Sequence, residues 1–103
     1  MRVIESQMNA AITNERDWKN SNTKVVNVDG VSEVFLHNNL IARVADTWLE
    51  IFDGGWQSNT TKSRLNAILQ VHGTGERIFQ KNWNWFISTS EGIVEFESGM
   101  VLG

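Results

Sequence analysis

Residues 23–44 read TKVVNVDGVSEVFLHNNLIARV, and this stretch decides the fold. Short runs of β-branched and aromatic residues are separated by Asp29-Gly30, then by Asn38-Asn39. A type I′ hairpin turn needs positive φ at both central positions, which Asp, Asn and Gly tolerate, so Asp29-Gly30 predicts a tight hairpin. Asn38-Asn39 predicts a second reversal, with Leu40, Ala42 and Val44 alternating after it. Connections this short leave no room for crossover helices, so the strands are antiparallel. A fourth strand is expected from Thr47 to Phe52, ahead of Gly54-Gly55.

On the N-terminal side, residues 3–13 place Ile4, Met8, Ala11 and Ile12 at helical spacing, with Arg2, Glu5 and Asn9 on other faces. The polar run TNERDWKNSN (13–22) carries the chain onward, with Trp18 as its one apolar anchor. On the C-terminal side, GGWQSNTTKSRLNAIL (54–69) reads as a turn, a cap and the start of a central helix over about 60–72. Leu65, Ile68, Leu69 and His72 form its apolar stripe. Asn59 or Thr60 can cap it, and Gly73 can end it. A second hairpin is expected around Asn82, with Trp83, Trp85 and Ile87 on one face and Asn84, Phe86 and Ser88 on the other. GIVEFE and MVL supply the last short strands. The class is α+β in a single domain, 1–103: an N-terminal helix, an antiparallel β-meander, a central helix and C-terminal short strands. The expected architecture is a single twisted or partly closed sheet with the helices on one face.

Composition narrows the function. With 103 residues there is material for one modest core, and five Trp with five Phe give large apolar groups to fill it. The chain has no Cys and therefore no disulfide or thiolate metal site. No secretory signal or membrane span is legible, so a cytoplasmic setting is expected. The formal net charge of −3 argues against a general duplex-DNA binder and leaves room for a local anion site.

No motif for a metal, a nucleotide phosphate or a nucleophilic triad occurs around His37, His72 or the acids. The expectation is therefore a non-enzymatic protein without cofactor or metal. GTGE (73–76) follows a helix instead of opening one, which reads as a helix stop. The sharpest local signal is the start of the central helix, where Lys62 and Arg64 stand without an acid although that end already carries partial positive charge. Thr60, Thr61, Lys62, Arg64 and Asn66 thus form a candidate anion site for nucleic acid or another phosphate-bearing ligand. The opposing reading pairs the two cations with Asp53 or Glu50. A surface pair of that kind is worth about 0–1 kcal/mol. Trp56, Trp83 and Trp85 form a candidate aromatic surface. With Arg77 and Lys81 upstream, Trp83 and Trp85 could stack unpaired bases. The alternative is that these indoles plug the core.

EVFLHNNLIARV (33–44), DGGWQSNTTKSRLNAIL (53–69), IFQKNWNWFIS (78–88) and VEFESGMVL (94–102) resemble a group of small proteins of tailed bacteriophages, cyanophages among them. The resemblance covers nearly the whole chain, and W-x-S/T-x-T-T-K-x-R-L-N is its most specific segment. It implies a phage-encoded accessory protein made inside the bacterial cell and carries over no catalytic or binding roles. Trp56, Thr60, Thr61, Lys62, Arg64, Leu65 and Asn66 are the residues it marks for test. Two functions follow as expectations. One is binding of nucleic acid or another phosphate-bearing ligand at 59–66. The other is docking on a host or phage protein through an acidic, aromatic-rich β surface, with a homodimer as one form of it.

Overall fold

The computed structural model describes residues 1–103. The elements in chain order are α1 (Val3–Thr13), β1 (Trp18–Asn20), β2 (Thr23–Val28), β3 (Val31–Leu36), β4 (Asn39–Val44) and β5 (Leu49–Ile51), then α2 (Asn59–His72), β6 (Arg77–Lys81), β7 (Asn84–Thr89), β8 (Gly92–Glu95) and β9 (Met100–Leu102). All strand pairs are antiparallel, and the fold is α+β as the patterning predicts. The strands divide between two open sheets instead of forming one. The larger has the order β1-β2-β3-β4-β5-β9, and the smaller has β6-β7-β8. The last strand, β9, returns to the large sheet beside β5 after the chain has built α2 and the small sheet.

Three hairpin turns carry positive φ at both central residues: Asp29 (50°) and Gly30 (80°), His37 (51°) and Asn38 (65°), Asn82 (52°) and Trp83 (69°). The second reversal therefore turns on His37-Asn38, one residue earlier than the asparagine pair suggests. The polar run after α1 also contains a strand that its composition hides. In β1, Trp18 pairs with Val25 across the ladder. From there one register row crosses the large sheet: Trp18, Val25, Val34, Ala42, Ile51, Met100. Its middle four members are buried, and the end pair packs partly against them. Period-2 alternation makes such a row one face of the sheet, and this face meets the helices.

A β-bulge interrupts the alternation in β4. Phe35 pairs with Leu40 and Val34 with Ala42, so Ile41 is the extra residue. The bulge turns Ile41 inward together with Ala42, and both are buried. Gly54 sits over it with φ of 72°, where an added Cβ would lie 3.2 Å from Ile41 Cγ2. Only glycine meets both demands.

Helix α2 begins one residue earlier than expected and is capped by Ser58, whose Oγ accepts the Thr61 N–H at 3.1 Å. Asn59 and Thr60 lie inside the first turn. Replacing Ser58 with alanine is expected to cost about 1 kcal/mol in a urea melt, the usual worth of an N-cap. Leu65, Ile68 and Leu69 join Met8, Ala11 and Ile12 of α1, the large-sheet row, and Ile78, Trp85 and Ile87 of the small sheet in one core. Thus α2 contacts α1, β4 and β6 and ties the two sheets together.

Candidate functional site

The start of α2 answers the question its charge raises. Arg64 is only 3% exposed. Its Nη1 lies 2.8 Å from Glu5 Oε2, its Nε donates to Thr23 Oγ1 at 3.0 Å, and its Nη2 donates to Asn22 Oδ1 at 3.3 Å. Glu5 is 2% exposed and also accepts the Ser63 hydroxyl at 2.7 Å and the Arg2 N–H at 3.0 Å. A carboxylate and a guanidinium so placed neutralise each other, and Arg2, Ser63, Asn22 and Thr23 supply the further hydrogen bonds. Arg64 is thereby withdrawn from the expected anion site. The acid that pairs with it is neither Asp53 nor Glu50. Asp53 accepts the Gly55 N–H at 2.8 Å and Ser98 Oγ at 3.3 Å, while Glu50 faces Arg43 at 3.4 Å.

Glu5 was legible on α1: Glu5, Met8 and Ile12 fall at i, i+3 and i+7 on the buried face, and Asn9 is buried with them. The expected placement of Glu5 and Asn9 away from the core is corrected accordingly. Burial pushes the Glu5 carboxyl up. The donors from Ser63, Arg2 and Arg64 outweigh that and hold it below the ordinary 4.5. A carboxyl lowered in the folded state stabilises above its unfolded value and loses that contribution as pH falls through the folded value. The wild type is therefore expected to lose stability as pH drops below about 4.5. Glu5→Gln, compared by urea melts across that range, should show a smaller loss.

Of the other expected ligands, Thr61, Lys62 and Asn66 have partners within the chain. Thr61 is buried, with Oγ1 2.9 Å from Ser58 Oγ. Asn66 bridges to β6 through Nδ2 to Ile78 O (2.8 Å) and Oδ1 from Ile78 N (2.7 Å). Lys62 lies with Nζ 3.5 Å from Gln80 Oε1. Thr60 is half-buried and shares a cleft of about 440 Å³ with Ser58, Trp56, His37, Leu36 and Ile41. In GTGE the Glu76 carboxylate accepts the Thr74 N–H (2.7 Å) and hydroxyl (2.8 Å), so that loop closes on itself behind α2.

The aromatic candidates separate. Trp85 is 2% exposed and packs edge-on against Phe96, with ring centroids 5.3 Å apart. Trp83 is 89% exposed and Trp56 77%. Trp83 lies in the β6–β7 turn, so it does not share a strand face with Trp85 as expected. On the outer face of the small sheet Phe79 and Phe86 stack at 5.8 Å, with Arg77 and Lys81 alternating beside Phe79 along β6. Along β8 every residue is exposed, including Ile93 (63%) and Val94 (49%).

These features define a small α+β protein that turns Arg64 of its helix start into its own interior and exposes Trp83, Ile93 and Val94 on the small sheet and its β6–β7 turn. The chain belongs to the Kyanoviridae Gp96 protein family, whose model matches residues 1–103. That places it in a bacteriophage family of the cyanophage kind that its sequence resembles. No curated protein and no solved structure matches it. No helix is long and apolar enough to cross a membrane.

Proposed function

We propose that this phage protein acts without catalysis, by docking on a host or phage protein through the small sheet. The observation that carries the reading is Trp83. It holds φ of 69°, where L residues other than Asn and Asp are disfavoured, and 89% of it is exposed. Neither the turn nor the core rewards a tryptophan there, and glycine would suit the backbone better. A large aromatic held out at a local cost is an anchor for another surface. Ile93 and Val94 are further exposed apolar residues of the same sheet, on the outer and inner faces of β8.

The test is the pair Trp83→Gly and Ile93→Ser. Trp83→Gly is expected to leave stability unchanged or raise it by up to about 1 kcal/mol, because the left-handed strain is relieved. The double variant should fold normally yet lose a partner that the wild type captures from infected cells. Retention of that partner by the folded double variant would refute the assignment. A strict monomer in light scattering at high concentration would remove the homodimer form and leave heterologous partners.

A second reading, single-stranded nucleic acid, draws on Phe79, Phe86, Arg77 and Lys81 on the outer face of the same sheet. Glu95 stands directly across from Phe86 and would repel phosphates along that path. Anisotropy titration of a labelled oligonucleotide at low and physiological salt compares the two readings, and the protein-docking reading expects no saturable binding at physiological salt.

A further inference from the structure

We infer that the open edge of β8 takes up an extended, lysine- or arginine-rich segment of the protein partner as a fourth strand of the small sheet, an inference that rests on the docking reading above. The direction of the edge's hydrogen-bonding groups follows from the ladder. Phe96 N–H donates to Trp85 O at 3.0 Å, which marks Trp85 and Phe96 as a hydrogen-bonded pair. Bonded and non-bonded pairs alternate in an antiparallel ladder. The register Phe86–Glu95, Ile87–Val94, Ser88–Ile93 then turns the Val94 backbone toward β7 and the Ile93 and Glu95 backbones outward. Each of those two residues offers a free N–H and C=O.

Free edges are ordinarily blunted by lysine, proline, bulges or shortness. The free edge β1 of the large sheet follows that rule, with three residues and Lys19 at its centre. Strand β8 carries no lysine or proline and exposes Ile93 and Val94 on its two faces. Strand addition uses such an edge, with backbone bonds for affinity and alternate side chains for selectivity.

Charge then selects the occupant. Glu91, Glu95 and Glu97 lie exposed in and beside β8, and the three ion pairs of the molecule involve none of them. Glu95 shares the outer face with Ile93, whereas Val94 points to the inner face. A strand with cations on its outer face and apolar side chains on its inner face matches both. A second copy of β8 laid antiparallel would set these acids against their own kind, which is unfavourable across a ladder.

The test is an anisotropy titration of the full chain with a labelled eight-residue peptide of alternating Lys and Val. A Glu/Val counterpart and a Lys/Val copy N-methylated on alternate residues are titrated beside it. The Lys/Val peptide is expected to bind saturably and at least tenfold tighter than the Glu/Val peptide. N-methylation of the edge-facing amides should abolish binding, and the triple variant Glu91→Lys, Glu95→Lys, Glu97→Lys should reverse the charge preference. Equal binding of both peptides overturns the basic partner, and indifference to N-methylation overturns strand addition. If no peptide binds while the Trp83→Gly, Ile93→Ser variant still loses its cellular partner, strand addition falls and docking stands. If that variant keeps the partner, the docking reading falls with it. A dimer that Ile93→Pro dissolves would assign the edge to a second copy and overturn the inference.

Discussion

Replacing Arg64 with alanine destabilises the protein by about 3–5 kcal/mol, because the Glu5 carboxylate is left buried without its partner. The pair is 2.8 Å apart and almost wholly removed from water. Such a pair adds little net stability over apolar residues of the same shape, since desolvation offsets most of the attraction. Breaking it on one side is a different matter. Ser63 and Arg2 keep donating to the carboxylate, yet the charge that balanced it is gone. For a domain of this size each kcal/mol moves the midpoint by about 4–8 °C, so the expected fall in Tm is at least about 12 °C. Glu5→Gln combined with Arg64→Met should cost less than Arg64→Ala alone. That non-additivity separates a neutralised interior pair from a ligand site. If Arg64→Ala melted within about 0.5 kcal/mol of the wild type, the range expected of an exposed side chain, the buried pair would be refuted.

Trp85→Ala is expected to cost about 3–5 kcal/mol, whereas Trp83→Ala, two residues away, should stay within about 0.5 kcal/mol. The first indole belongs to the buried core and meets Phe96 edge-on. Its removal deletes a large apolar area and leaves a cavity that the neighbours cannot fully close. The second projects from a turn and has almost nothing to lose on truncation. Equal costs in urea melts would mean that both indoles are core and that Trp83 is no docking anchor.

Much of the fold was legible because it rests on local chemistry. Asp29-Gly30 marks its turn through backbone preference alone, and the spacing of Leu65, Ile68 and Leu69 marks the buried face of α2. The short strand β1 was not legible. Its residues Trp18–Asn20 are polar apart from the indole, and they pair only because β2 presents an edge. The division into two sheets was hidden for a related reason: β9 joins the large sheet through a long-range pairing with β5 that its own three residues do not encode. The Ile41 bulge likewise looks like plain alternation until its partner strand is in place.

The candidate site was legible in part. Its unusual charge was visible, and so was the possibility that an acid serves it. Sequence proximity points to a partner in the nearby strand, but the partner lies on α1, 59 residues away in sequence. Local spacing does not encode such a contact, although the position of Glu5 on the buried stripe of α1 points toward it. The tryptophan pair misled for a simpler reason. Period-2 alternation puts Trp83 and Trp85 on one face only if both are in the strand, and the turn begins at Asn82.

Native-state hydrogen exchange followed by NMR reads the central claim most directly, since it reports the spent helix start and the unspent sheet edge together. The Arg64 Nε–H should exchange only through global unfolding, because its bond to Thr23 lies in the core. On the edge, the amides of Ile93 and Glu95 should exchange freely while that of Val94 between them is protected. Fast exchange at Arg64 Nε together with protected amides at Ile93 and Glu95 would contradict both halves: the arginine would be free for a ligand, and the edge would be occupied.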